Sequence, residues 1–291
     1  MQQLVNGISN GAIYALFALG FTLVFGVLDR LNLAHAGVYA AGAYIGIELV
    51  ADAGWYIWLA IPGVFVAGAV LGIVIDRLAF APLARRPDAH FGGMISSIAL
   101  GTMFVALLQQ RYGPATRRFP PDTFPHHRYE VGDVRITLLQ IVIVAVSLGL
   151  TLLLWLLVTK TGIGRAMRAV AENPHAARIV GVNVNRITAS TFALSSGLGA
   201  VAGVLFALNV SSAELDMGYN IELKGLAVII VGGMGSIPGA LVGGMVVGLA
   251  EVLTIQYVGS TWRDVVTFGL LVLILLLRPQ GLFGSRQVRE V

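Results

Sequence analysis

Long uncharged runs separated by short charged clusters set the pattern of this chain. Residues 1–28 carry no charged side chain, and further uncharged runs cover 31–47, 53–75, 91–110, 136–158, 187–213, 225–250 and 265–277. A bilayer core of about 30 Å needs about 20 helical residues. In lipid a spanning segment has to satisfy its own backbone polar groups, which a helix does. The pattern therefore predicts an all-α fold, a polytopic transmembrane helical bundle of eight or nine membrane segments forming one domain over residues 1–291. The run 136–158 is rich in Val, Ile and Leu but far exceeds the ~5–6 residues of an ordinary strand. The first run lacks a basic leader and is too long for a signal-peptide core, so it is expected to be the first span. The last run needs Trp262 and the neighbourhood of Asp264 to reach the interface.

The run 225–250 is the ambiguous one. Its middle holds Gly232, Gly233, Gly235, Pro238 and Gly239, a poor helix former because Pro lacks a donor and Gly loosens the backbone. A broken helix near 222–257 is expected: a short descending piece over 222–234, a turn at 235–238, and an ascending piece from 239 to about 257. That makes nine segments; one kinked helix would make eight.

Charge then gives the bundle a direction. The interruptions 29–33, 77–90, 159–186 and 278–291 hold twelve Lys and Arg, against seven in the alternate set (five in 111–135, plus Lys224 and Arg263). Basic residues favour the cytoplasm. The N-terminus is thus expected outside, and the C-terminal Arg286 and Arg289 inside, which favours nine segments. The outer loop 111–136 departs from the rule, with Arg117, Arg118, His126, His127 and Arg128 close together.

Composition agrees: 57% of the 291 residues are hydrophobic and only 12% charged, against roughly 25% charged in soluble domains. The sequence pI of 9.6 suggests nucleic acid at first, but the basic residues lie between apolar runs, so a lipid bilayer and no nucleic acid is the expected surrounding. Cysteine is absent, which excludes disulfides and thiolate chemistry. The histidines show no i, i+4 pair or carboxylate partner, so no metal site is predicted. No paired carboxylates or His cluster at membrane depth suggest a catalytic residue. The 36 glycines include pairs spaced by four, such as Gly7/Gly11, Gly42/Gly46, Gly68/Gly72, Gly199/Gly203 and Gly244/Gly248. Small residues let helix backbones approach closely in lipid; packing within the chain, a subunit interface or a gating seam would each use them.

The loop 159–187 differs from the others. Asn173 can cap a helix and Pro174 suits its first position. His175 to Val180 would form one or two turns, and Gly181 fits the left-handed stop. With Arg165, Arg168, Arg178 and Arg186 nearby, this is either an amphipathic helix lying on the membrane or a docking helix for a cytoplasmic partner.

The stretch AENPHAARIVGVNVNRI resembles the coupling loop of ABC importer permeases, with Glu172, Ala176, Ala177 and Gly181 matching their Glu-Ala-Ala…Gly pattern. Residues 6–44, NGISNGAIYALFALGFTLVFGVLDRLNLAHAGVYAAGAY, resemble the start of branched-chain amino acid permeases. So do LKGLAVIIVGGMGSIPGALVGG (223–244) and RPQGLFG (278–284). The matches run in order through most of the chain outside 50–160, and the immediate first span resembles the H-type of two paralogous permeases. Ala36 stands where many relatives have Gly. The resemblance implies a paralogous second permease subunit, two cytoplasmic ATPase subunits and an extracytoplasmic solute-binding protein. It also implies a coupling role for Glu172, Asn173, Ala176, Ala177, Gly181 and Val182, and a plasma (inner) membrane location. This chain itself would need no cofactor, ATP being bound by the partners. Accordingly, neither Lys160 nor Lys224 follows a Gly, so no phosphate-binding Gly-Lys-Ser/Thr loop is present.

Polar residues at membrane depth are costly without partners. Asn6, Asn10 and Tyr14 share one helix face by their spacing of four. With Ser96 and Ser97 they are candidates to line a translocation pathway, or they bond to neighbouring helices and to their own backbone. Asn32 and His35 read as a cap or turn. Glu251 would pair with Lys224 or Arg263, snorkel outward, or relay protons. Two functions remain open: an ATP-driven importer of branched-chain or related small amino acids (urea or short amides as alternative substrates), and an ion-gradient-coupled secondary transporter.

Overall fold

The computed structural model describes residues 1–84, 89–121, 123–125, 127–131 and 134–284. Arg85, Arg86, His126, Arg286 and Arg289, used above in the charge argument, lie outside the described residues. Eleven α-helices are described: α1 Gln2–Leu28, α2 His35–Ile47, α3 Ile57–Ile75, α4 Ala89–Tyr112, α5 Leu138–Lys160, α6 Gly162–Glu172, α7 Pro174–Ile179, α8 Val184–Val210, α9 Met217–Gly232, α10 Ile237–Tyr257 and α11 Arg263–Leu277. π-helical turns extend α2 over Glu48–Asp52 and α3 over Asp76–Phe80. Seven helices are long and apolar enough to cross a membrane. α2, packed against α8, and α9, packed against α1 and α10, are shorter.

The chain breaks the last third of the bundle where its glycines and proline demand it. α9 starts five residues before the expected position, at Met217, and ends at Gly232; α10 begins at Ile237. Between them Gly233 and Gly235 have φ of 106° and 83°, conformations that L side chains rarely adopt. Ser236 restarts the helix, its hydroxyl accepting from the Gly239 amide at 3.1 Å, with Pro238 in the first turn.

The centre of the bundle is α1 and α8. Each is 83% buried over its most apolar stretch, whereas α11 is 6% buried. Glycine makes that centre possible. A methyl placed on Gly203 of α8 would sit 2.0 Å from the Tyr39 carbonyl oxygen of α2. One on Gly42 would sit 2.3 Å from the Ala200 carbonyl oxygen, and one on Gly248 of α10 would sit 2.4 Å from the Gly11 α-carbon. The glycines spaced by four are thus packing faces within the chain. Gly203→Leu is expected to force α2 from α8 at a cost of about 1–3 kcal/mol, read as a lowered unfolding temperature in detergent, with Gly149→Leu, facing open space, as the unaffected control.

His35 fills the space between two further glycines. Methyls on Gly20 and Gly199 would approach its ring to 2.4 and 2.5 Å. Its Nε2 lies 3.2 Å from the Phe17 carbonyl oxygen, and a carbonyl only accepts, so Nε2 carries the proton. Asn32 is the turn residue, its Oδ1 accepting from the Ala34 amide at 3.3 Å.

Exposed Trp55, Tyr56, Trp58, Tyr257 and Trp262 sit at the start of α3, the end of α10 and the start of α11. They mark one face of the bundle, shared with the N-terminus, in the manner of an interfacial aromatic belt. On that face the 111–136 loop carries two small antiparallel pairs, Arg117–Arg118 with Ser212–Ala213 and Arg128–Val131 with Val134–Thr137.

Candidate functional site: the capped loop, the broken helix and the buried polar groups

The loop on the opposite face is two helices, not one. Thr161 turns the chain out of α5: its hydroxyl donates to the Leu157 carbonyl at 2.6 Å and accepts from the Gly164 amide at 3.1 Å. Gly164, Met167 and Val170 form the buried side of α6, three residues apart and so on one face. Arg165, Arg168 and Glu172 face outward. The expected single capped helix omitted α6 because its apolar side is only three residues wide.

α7 is fixed at both ends. The Asn173 side chain accepts from the His175 and Ala176 amides at 2.9 and 3.0 Å, satisfying two of the orphan donors of a helix start. At the other end Gly181 has φ of 86°. Its amide donates to the Arg178 carbonyl at 3.1 Å, and the Val182 amide donates to the Ala177 carbonyl at 2.9 Å. That pair of bonds is the Schellman stop. Ala177 is buried, anchoring the helix, while Glu172, Asn173, Ala176 and Gly181 are exposed and Val182 is half-buried. Ile179 and Val180 are each 76% exposed. A β-branched apolar pair held at the tip of a rigid polar loop is suited to insertion into a partner's cleft. The sequence signal for this pair is two apolar residues just before the stop glycine.

The broken helix has an unexpected partner. The last turn of α9 leaves carbonyls without donors, and the terminal segment supplies them: the Leu282 amide donates to Val231 and the Phe283 amide to Gly232, both at 2.9 Å. Gly281, with φ of 77°, allows this approach, since a methyl there would lie 2.5 Å from the Ile230 carbonyl oxygen. Gly26 of α1 closes on Gly235 from the other side.

The polar candidates divide into two groups that the fold does not bring together. Asn6, Asn10 and Tyr14 run down one side of α1. The Asn6 Oδ1 accepts from Gln140 of α5 at 2.9 Å, and the Asn10 Oδ1 accepts from Asn209 of α8 at 3.1 Å. Ser96 and Ser97 lie in the first turns of α4, toward the other face. Ser97 donates to the Met94 carbonyl at 2.7 Å and accepts from the Leu33 amide at 3.1 Å. It therefore pins the turn between α1 and α2.

Glu251 meets both expected cations. Lys224 Nζ lies 2.7 Å from its carboxylate and Arg263 Nε 3.2 Å. Asp264 completes the cluster at 3.5 Å from Lys224 and 3.4 Å from Arg263. The Tyr14 ring lies 5.6 Å from Lys224 Nζ. The cluster fastens peripheral α11 to α9 and α10.

Similarity to known proteins runs along the whole chain. Residues 3–275 match the family model described as branched-chain amino acid transport system / permease component. The chain belongs to that permease family. It is 35% identical to the high-affinity branched-chain amino acid transport system permease protein BraD of Pseudomonas aeruginosa, over 100% of this chain and 98% of that one. It is 33% identical to the corresponding protein LivH of Escherichia coli, over 100% and 97%. LivM of Salmonella typhimurium is 27% identical, over 93% of this chain and 67% of that one, so the permease is of the LivH and BraD type. Among solved structures, PsaBC from Streptococcus pneumoniae in complex with Fab superposes with a TM-score of 0.50 at 14% identity, covering 96% of the permease and 91% of that chain. At that identity the likeness is one of fold.

In this permease the basic 111–136 loop is held by local acids. Arg117 pairs with Asp52 at 3.1 Å, Arg135 pairs with Glu130 at 3.1 Å, and Arg111 pairs with Glu48, which also accepts from the Tyr112 hydroxyl. The Tyr112 hydroxyl, more than Arg111, holds the Glu48 carboxyl below its ordinary 4.5. Because the folded form binds protons less readily, the stabilisation is complete above pH 4.5 and is lost as pH falls through the lowered folded value. Acid unfolding of the wild type is expected to steepen below pH 4.5, and Glu48→Gln to remove that component, as read by a pH series of melting curves.

Proposed function

We propose that this chain is a permease subunit of an ATP-driven importer, moving branched-chain or related small amino acids delivered by an extracytoplasmic binding protein. It would work in the inner membrane beside a second, paralogous permease, with two ATPase subunits at the α6–α7 face. The N-terminus would then be outside and the C-terminus in the cytoplasm. The observation that carries the reading is the rigid, doubly capped α7 with Ile179 and Val180 projecting from it. A short helix so fixed moves as a unit, so a displacement of its tip is passed to α5 and α8 rather than absorbed by the loop.

In this reading Glu172, Asn173, Ala176, Ala177, Gly181 and Val182 shape the docking element. Asn6, Asn10 and Tyr14 offer the polar row of the pathway, and Ser96 and Ser97 flank its other end. The turn Gly232, Gly233, Gly235, Pro238 and Gly239 joins the two halves of the broken helix and is tied to the terminal segment. Glu251 is already held by two cations, which weighs against the ion-coupled alternative.

The native chain has no cysteine, so one placed reporter is unambiguous. Val180→Cys in the assembled transporter is expected to cross-link to an ATPase subunit carrying cysteines in its docking cleft. Cross-linking of Val180→Cys to the binding protein instead, or to neither, would remove the proposal.

A further inference from the structure

A cavity of about 610 Å³ opens beside α7, between the end of α3 and the start of α8. Arg30, Arg77 and Arg178 line it together with Asp76. Asp76 is 3% exposed. Among the ion pairs of the described residues none engages the three arginines; Arg30 instead lies over the Phe80 ring at 5.7 Å. Among the lining residues, three guanidiniums face one buried carboxylate, an excess of two positive charges. Arginine is the side chain whose planar fork matches phosphate oxygens. The backbone of Gly181, Val182 and Asn183 forms the rim nearest α7.

The height of the cavity says which anion it suits. Arg77 lies two residues beyond the apolar run that ends at Ile75, where a span of that length would meet the headgroup region. Above it on α3, Ile73, Val70 and Val66 are 41%, 55% and 62% exposed. Counted from Arg77, their spacing of four, three and four places them on one helix face. Val66 in turn lines a wholly apolar groove of about 400 Å³ between α3, α5 and α8. From Arg77 to Val66 is about 16 Å of helix, close to half of a ~30 Å hydrocarbon core.

We propose that this cavity binds the phosphodiester headgroup of one anionic phospholipid, its acyl chain lying along the Val66–Val70–Ile73 face of α3. Basic pockets between membrane helices on the cytoplasmic side take such headgroups. Arg178 belongs to α7, so the bound lipid ties the docking helix to the membrane and to α3. Assigning the lipid to the inner leaflet rests on the orientation proposed above; the binding itself does not.

The test uses the transporter purified in detergent, titrated with phosphatidylglycerol, phosphatidylcholine or inorganic phosphate and read by native mass spectrometry. Phosphatidylglycerol is expected to bind about thirtyfold more tightly than the zwitterionic lipid, the value for two surplus cations. Millimolar phosphate should leave that binding intact. R77Q with R178Q should bring the two lipids level, R77K with R178K should keep most of the preference, and R165Q, an exposed site outside the cavity, should keep all of it. No preference in the wild type, an unchanged preference in the double glutamine variant, or displacement by phosphate alone would each overturn the lipid assignment. These readings need no transport, so they fail or succeed independently of the importer proposal.

Discussion

Gly181→Val is expected to lower ATP-driven uptake more than tenfold while leaving the chain inserted at normal levels. Gly181 holds φ of 86° and has open space where a side chain would go, so the effect is conformational and not a clash. A left-handed L residue costs about 1–2 kcal/mol, and a β-branched one more. That is enough to unwind the Schellman stop and let Ile179 and Val180 lose their fixed position. Asn tolerates this conformation better than other side chains, so Gly181→Asn should retain most of the uptake. Glu172→Lys, on the exposed rim, should impair uptake without altering the melting temperature. If Gly181→Val transports normally, α7 is not the coupling element.

The largest effect on stability is expected at the buried ionic cluster. Lys224→Met leaves Glu251, only 3% exposed, with the half-exposed Arg263 as its single cation. Glu251→Leu leaves Lys224 buried with Asp264 at 3.5 Å. Breaking one side of a buried pair costs about 3–5 kcal/mol, or roughly 10 °C in melting temperature for a chain of this size. The double variant should recover most of the loss, because an apolar pair of similar volume replaces charges that were costly to bury. Arg263 and Asp264 keep each other in that variant. Purified protein in detergent, followed by tryptophan fluorescence on heating, gives all three values. Equal melting temperatures for the wild type and both single variants would contradict a structural role for the cluster.

Much of this architecture is legible from residue order because the bilayer imposes a length on each apolar run. The break between α9 and α10 is legible for the same local reason: Gly233 and Gly235 take backbone angles that other residues avoid, and Ser236 and Pro238 restart the helix. α7 shows through its cap, its proline and its stop glycine. What sequence order conceals is pairing across distance. Asn10 bonds to Asn209 and Asn6 to Gln140, partners 199 and 134 residues away. The terminal RPQGLFG segment caps α9, so two stretches read as separate motifs form one unit. α2 is legible as the uncharged run 31–47. Glycines on α8 admit its 13 residues to the centre of the bundle. Glu222 was missed as a membrane-depth acid because the uncharged run begins at Gly225, three residues after it, whereas α9 begins at Met217. One turn of helix thus moved a half-buried carboxylate, whose Oε1 has no hydrogen-bond partner among the described residues, from the expected boundary into the bundle.

Energy coupling through partner subunits is what separates the importer from an ion-driven carrier. Proteoliposomes holding this permease, its paralogous partner and both ATPase subunits, supplied with the binding protein and radiolabelled leucine, should accumulate label only when ATP is hydrolysed on the α6–α7 side. Accumulation by this chain alone, driven by a proton or sodium gradient without ATPase subunits, would contradict it.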